Sequence, residues 1–486
     1  MPGRFPSPPG ASSSLAEESL MAKNLTVGSP LRLIVVFTLP LLIGNLFQQV
    51  YAITDTIVVG RMISVQALAA VGASGSLQFL LFGFAMGASA GLAIPVSRAY
   101  GAGDTAGMRK AVTTGAWISL AIAVAITLIG VFGSSFLLRL LGTPEELMAQ
   151  STEFLAVFFA GSLATVGYNY LTSVIRALGD SRTPLLFLIL ACVLNVILVI
   201  LFVGPAQMGV GGAALATVLA QLVSALMCLL LIWRRMPLLH VERSDWRIDV
   251  ARIKESSNLG LTLGFQMSII AVGAALLQYG VNGLGTDAVA AFTAALRVDQ
   301  VAVVPLASVG MAMTTFVAQN AGARQPERIL RGVRQTTFLS VGLALLLGLA
   351  IFFGGTVMVR VFVGDGSPVV VAMAHDYLVI NSAMYWALAL LFMIRNVLQG
   401  LGSTLAPTMS GVAELIARAI IGLLVIEHVG FIGAIIAAPA AWFAALIPLF
   451  GAWFFQRRRL VAQAREVSEA VVETEDAGCL QPCHAA

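Results

Sequence analysis

Asp55, Arg297, Asp299, Glu414 and Arg418 each stand inside a long apolar run. An ionisable side chain at membrane depth costs a few kcal/mol even on lenient insertion scales, so each needs a chemical reason. Asp55 has no basic residue within a helical turn; the nearest, Arg61, lies beyond Gly60. A low dielectric disfavours an ionised carboxylate, so an acid placed there can take up and release a proton, whereas one near the outer interface stays solvated. Tyr51 lies one turn earlier on the same helical face, and Asn169, Asn195 and Thr217 fall in later apolar runs of the same half. Together these types give the acid polar company, although a buried Asn or Thr also serves simply to satisfy a neighbouring backbone group. Glu414 and Arg418 are spaced i, i+4 with the acid first, the geometry of a self-neutralising pair. They read as a structural ion pair or as part of a proton or substrate site. Arg297 and Asp299 point in different directions and need partners on other helices, for which Gln266, Gln278 and Asn381 are neutral candidates. Gln266, Arg297, Asp299, Glu414 and Arg418 therefore define a second polar site.

Other chemistries are excluded by spacing. The lysines Lys23, Lys110 and Lys254 never follow glycine, so no Walker phosphate loop exists. No histidine begins a His-Glu-x-x-His zinc pattern. Cys192 and Cys228 lie in apolar runs, and Cys479, Cys483 and His484 in a polar end segment read as incidental thiols and imidazole. No clustered acid/base or metal constellation is present, so the chain is not expected to be an enzyme, nor to carry a cofactor.

The elements that must position these residues are membrane helices. Of 486 residues 58% are hydrophobic and only 11% charged, against about 25% charged in an ordinary soluble domain. A crossing needs about 20 apolar residues, and polar interruptions divide the chain between residues 31 and 455 into twelve such runs. With the N-terminus inside, every Lys and Arg except Arg61, Arg139, Arg297, Arg360 and Arg418 falls on the cytosolic side, Arg395 among them. That asymmetry is the positive-inside rule, so the net charge of +4 reports topology and calls for no nucleic acid. The expectation is a multi-pass protein of the cytoplasmic membrane, monomeric, with both termini cytosolic.

Sliding the chain by 221 residues lays Ala67–Ala73 on Ala288–Ala294 and Gly101-Ala102 on Gly322-Ala323. A shift of 223 lays Leu178-Gly179 and Pro184 on Leu401-Gly402 and Pro407. Collinear matches at nearly one offset mark an internal repeat. The fold class expected is an all-α integral membrane protein, twelve transmembrane helices as two parallel-repeat six-helix bundles. Its divisions are a disordered cytosolic lead at 1–29, an N-terminal lobe at 30–235, a cytosolic linker at 236–257, a C-terminal lobe at 258–456 and a cytosolic tail at 457–486.

The segments Thr54-Asp55-Thr56-Ile57-Val58-Val59-Gly60, Ala67-Leu68-Ala69-Ala70-Val71-Gly72 and Arg176-Ala-Leu-Gly-Asp180 with Pro184 are similar to those of prokaryotic multidrug and toxic compound extrusion transporters. Pro40 and the repeated Gly-Ala pairs belong to the same resemblance, which covers about residues 30 to 457. It implies that Asp55 is the cation-coupling residue of the N-terminal lobe, surrounded by Tyr51, Asn169, Asn195 and Thr217, and that Pro40 bends the first helix during transport. Two departures stand out: Val199 replaces a second acid beside Asn195, and Gln266 with an apolar stretch at Ala387 and Leu388 replaces the acids of the C-terminal-lobe site. Coupling through the N-terminal lobe then resembles the DinF-type members more than the NorM-type ones. The implied function is export of amphipathic, cationic organic compounds in exchange for H+, or less readily Na+. The alternative is a lipid-linked saccharide flippase, whose anionic headgroup would need arginines in the cleft.

Overall fold

The computed structural model describes residues 24–363 and 367–479, and within them all side chains except those of 50–57, 59, 61, 65, 362, 363 and 470–479. The first half comprises α1 (Pro30–Met62), α2 (Val65–Gly101), α3 (Thr105–Leu140), α4 (Glu145–Ala160), α5 (Ser162–Ala177), α6 (Arg182–Val203) and α7 (Gly209–Arg235). The second comprises α8 (Val250–Asn282), α9 (Thr286–Gly322), α10 (Pro326–Val363), α11 (Pro368–Ala383), α12 (Tyr385–Gly400), α13 (Leu405–Ile420), α14 (Ile426–Val429) and α15 (Phe431–Cys479). Among the described residues ten helices are long and apolar enough to span a membrane, and two bent pairs, α4/α5 and α11/α12, bring the number to twelve if each pair is one span.

Those two pairs depart from the sequence expectation, which has the fourth and tenth runs as unbroken spans. They bend by 50° at Gly161 and by 52° at Met384. At the first break the Phe159 carbonyl accepts from Ser162 Oγ (2.6 Å) and Thr127 Oγ1 (3.1 Å), so side chains replace the helical bonds lost at the bend. At the second, Asn381 Nδ2 donates to the carbonyls of Tyr377 (2.9 Å) and Ile435 (3.1 Å), tying the break to α15. The repeat is also visible where the backbone turns left-handed: Gly103 and Arg324, Gly179 and Gly402, and Gly209 and Gly430 occupy matching positions with positive φ.

Each half has its own apolar core. α1 and α8 lace them together. The first turns of α1 (Ile34, Phe37, Leu41) pack among Val309, Phe316 and Met393 of the second half, whereas Gly44 faces Leu185 and Leu188 of α6. Likewise α8 begins against α2, with Leu259 and Leu263 beside Ile94, and ends against α13, where Gly273 faces Leu415.

Two other segments are more ordered than the sequence suggests. The linker forms short 3-10 turns at Pro237–Leu239 and Arg243–Trp246, and α8 already begins at Val250, capped by the Asp249 carboxylate on Ala251 N (3.0 Å) and Arg252 N (3.3 Å). The expected tail from 457 onward continues α15 as one helix to Cys479. Its first part is rich in Arg, Ala and Leu without Gly or Pro, and Leu460 is buried in a cluster with Leu25 and Ile329.

Candidate functional site

The first-half residues singled out by chemistry divide into those the structure joins and those it does not. Asp55 and Tyr51 lie on α1, but their side chains fall outside the described residues. α1 and α6 run parallel from the same end, and with Gly44 facing Leu185 and Leu188, the α1 backbone eleven residues further on reaches the level of Asn195 and Val199. Asn195, buried on α6, donates from Nδ2 to Thr217 Oγ1 of α7 at 3.0 Å, and Thr217 Oγ1 donates in turn to Ala213 O (3.2 Å). Among the described residues Asn195 Oδ1 is buried without a hydrogen-bond partner, an acceptor left over for a donor or cation. Asn169 does not join this pair; its amide donates to Thr165 O of its own helix at 2.9 Å. Val199 is fully packed in the first core. Pro40 is buried in an α1 that continues through it as helix, with Thr38 Oγ1 bonded back to Ile34 O (2.7 Å).

The second half carries more charge, and its pairing corrects the sequence reading in three places. Glu414 does accept from Arg418 (2.7 Å), but also from Arg395 (3.0 Å), whose other contact is Ser410 Oγ at 2.8 Å. Arg395 is not in a cytosolic connection: it sits inside α12, 5% exposed, so the pair is a triad with one carboxylate between two guanidiniums. Asp299 is held by the Tyr385 hydroxyl at 2.5 Å, and not by the amides proposed as partners. Those amides are engaged elsewhere: Gln266 Oε1 accepts from Gln399 Nε2 (2.9 Å), Gln278 bonds Asn282 (2.8 Å) and Asn381 braces the break before α12. Arg297 is exposed on α9. Gln266 borders the triad through Gly411, where a Cβ would stand 3.4 Å from Gln266 Cγ. A π-turn at Ile421–Val425 follows the triad, and Gly422 there lies directly on Gly280 of α8, whose Cβ position the Gly422 carbonyl already fills.

The two halves meet over one half of their height, from the end where α1 begins to about mid-membrane. At that end a Cβ on Gly101 would strike the Gln319 backbone, and one on Gly322 the Arg98 carbonyl. Further in, Gly87 and Gly91 abut the Leu263 and Leu259 carbonyls, a close approach of two backbones that small residues at i, i+4 permit. Hydrogen bonds follow the same distribution. Gln319 Nε2 donates to Ala177 O (2.8 Å), Arg98 Nη2 to Gly400 O (3.4 Å), Asn45 Nδ2 to Ser308 Oγ (2.9 Å) and Ser268 Oγ to Leu80 O (3.3 Å). Among the described residues no hydrogen bond joins the halves nearer the opposite end. On that side Gly72 and Gly75 of α2 face open space.

Sequence reasoning missed the interdigitated glycines and Arg395. The glycine spacing was visible at Gly83, Gly87 and Gly91 and at Gly260 and Gly264; for Arg395 the only signal was its place within an apolar run.

The MatE family model matches this chain twice, over residues 40–201 and 263–424. The chain is 28% identical over 388 residues to the "Probable multidrug resistance protein YpnP" of Bacillus subtilis, covering 79% of this chain and 86% of that protein. It is 26% identical to the "Probable multidrug resistance protein YoeA" of the same organism, covering 81% of this chain and 86% of that one. Among solved structures, an "Outward-facing conformation of a multidrug resistance MATE family transporter of the MOP superfamily" superposes with a TM-score of 0.82 at 22% identity, over 91% of this chain and 99% of that one.

Proposed function

This chain belongs to the MatE family of membrane transporters, and from that premise we propose that it exports amphipathic, cationic organic compounds in exchange for protons. The observation that carries this reading is the one-sided contact between the halves. Two pseudo-symmetric bundles pinned together along half their height can rock about that contact and open one side at a time. The pinned end carries Arg98, Arg109, Lys110, Arg176 and Arg182 of the first half and Arg324, Arg328, Arg331 and Arg334 of the second, so the positive-inside rule makes it cytosolic and the described state outward-facing. The protein then lies in the cytoplasmic membrane with both termini inside.

Asp55 is the coupling group in this reading. Its level on α1 beside Asn195 and Thr217, and the unsatisfied Asn195 Oδ1, supply oxygen ligands around one acid. Val199 in place of a second carboxylate favours H+ over Na+, and the N-lobe coupling of DinF-type relatives over that of NorM-type ones. Antiport follows if proton and cargo bias the same equilibrium oppositely: charged, Asp55 stabilises a hydrated or cation-filled pocket; neutral, it tolerates a collapsed one. Purified protein in liposomes, loaded with a fluorescent organic cation and given pH and Na+ gradients separately, tests this. Export on the pH gradient alone is expected, and export driven by Na+ at fixed pH overturns proton coupling.

The buried Arg395 gives a second reading some support. One carboxylate between two arginines leaves the triad one positive charge in excess, which suits an anionic headgroup and hence a lipid-linked saccharide flippase. Binding of a soluble phosphosaccharide that Arg395→Gln weakens, with no export of the cation under either gradient, would favour that reading.

A further inference from the structure

A groove of about 780 Å³ runs between the cytosolic ends of α10 and α15. Arg331 and Arg334 line it from α10, and Arg457 and Arg465 from α15. Among the described residues Glu327 is the one acidic residue on its wall, and none of the four arginines has a hydrogen bond or ion pair. The helices are antiparallel, so the groove is graded. Phe338 and Trp453 form its membrane end and Ser468 its aqueous end. Phe338 is 74% exposed and begins the apolar stripe of Leu345, Leu349, Phe352 and Val357 that α10 turns outward, so the groove opens sideways towards acyl chains.

The repeat shows what fills such a groove. At an offset of 221, Arg331, Arg334 and Phe338 fall on Lys110, Thr113 and Trp117 of α3. There the chain leaves α7 and folds back as the linker, which packs on both α3 and α7. Arg109 is ion-paired with Glu242 (3.2 Å) and Asp245 (3.3 Å), Thr113 Oγ1 donates to Asp245 O (2.7 Å), and Trp246 packs edge-on against Trp117 with ring centroids 5.8 Å apart. Two carboxylates and an apolar ring thus occupy the first-half groove. In the second half α15 runs straight on, no segment folds back among the described residues, and the matching groove keeps its arginines unneutralised.

We propose that the α10/α15 groove binds an anionic phospholipid with a two-phosphate headgroup, its phosphates taking the place that Glu242 and Asp245 take in the first half and an acyl chain that of Trp246. Guanidinium forks suit phosphate oxygens, and basic pockets between membrane helices on the cytosolic side are where such headgroups bind. Four arginines against one glutamate call for more than one negative charge.

Native mass spectrometry of the full-length protein in neutral detergent, titrated with cardiolipin, phosphatidylglycerol, phosphatidylcholine or inorganic pyrophosphate, tests this. Cardiolipin should bind tightest, and Arg331→Gln/Arg334→Gln/Arg457→Gln should weaken it at least about tenfold. Arg235→Gln/Arg247→Gln/Arg459→Gln removes the same charge from the same end outside the groove and should leave cardiolipin binding unchanged. Equal weakening in both triples would reduce the effect to general attraction and overturn the site. Binding of pyrophosphate as tight as that of cardiolipin would overturn the lipid, and phosphatidylglycerol matching cardiolipin would overturn the two-phosphate headgroup.

Discussion

The two halves share a backbone plan but place charge differently. At mid-membrane the described side chains of the first half offer neutral groups, chiefly the Asn195–Thr217 pair with its unsatisfied oxygen. The second half holds Glu414 between Arg395 and Arg418 and Asp299 on Tyr385. A buried carboxylate already clamped by two arginines has little to gain from an incoming cation. An acid among neutral oxygens has its charge decided by what enters. The second frame is thus stiffened by internal ion pairs, and in the function proposed above the first is the one left responsive.

The sharpest way to break this contrast is to neutralise an acid in each half. Asp55→Asn is expected to insert normally yet lose pH-driven export in liposomes by at least about tenfold, whereas Glu414→Gln retains more of it. Undiminished export by Asp55→Asn, or its loss only in Glu414→Gln, would move coupling to the second half.

Stability should order the other way. Glu414→Gln strands two buried guanidiniums and is expected to cost about 3 to 5 kcal/mol, read as a lowered thermal midpoint in detergent. Arg418→Met leaves Glu414 with Arg395 and should cost less; equal losses would mean that Arg395 contributes nothing.

The contact between the halves is open to a wedge. Gly101→Val places a branched side chain where the Gln319 backbone lies, so the closed end of the contact should be disfavoured. Spin labels across that end should report longer distances than in the wild type, while Gly72→Val, which faces open space, should leave them unchanged.

Tyr385→Phe is the mildest test. It removes the hydroxyl from Asp299 without changing ring packing against Trp442, and about 1 to 3 kcal/mol of stability should be lost with transport largely kept. A loss of transport as deep as that of Asp55→Asn would show Asp299 to be more than a structural acid.

Much of this was written in the sequence because membrane insertion is decided locally. Apolar run length gives the spans, and one offset exposes the repeat. Glu414 and Arg418 were legible as a pair because a helix brings i and i+4 together wherever it lies. Asn195 and Thr217 were grouped only as polar residues of one half; their contact needed α6 and α7 side by side.

What only the tertiary structure decided are meetings between separate helices. Arg395 reaches Glu414 from another span, Tyr385 finds Asp299 across 86 residues, and the linker returns to Arg109 after more than a hundred. Hydropathy measures how well a segment suits lipid and not the direction in which it runs, so the bends at Gly161 and Met384 left no trace in it. Periodicity tells which face of a helix is polar. Which partner that face meets depends on packing, because in lipid no hydrophobic force chooses between neighbours and close backbone approach at small residues sets the register instead.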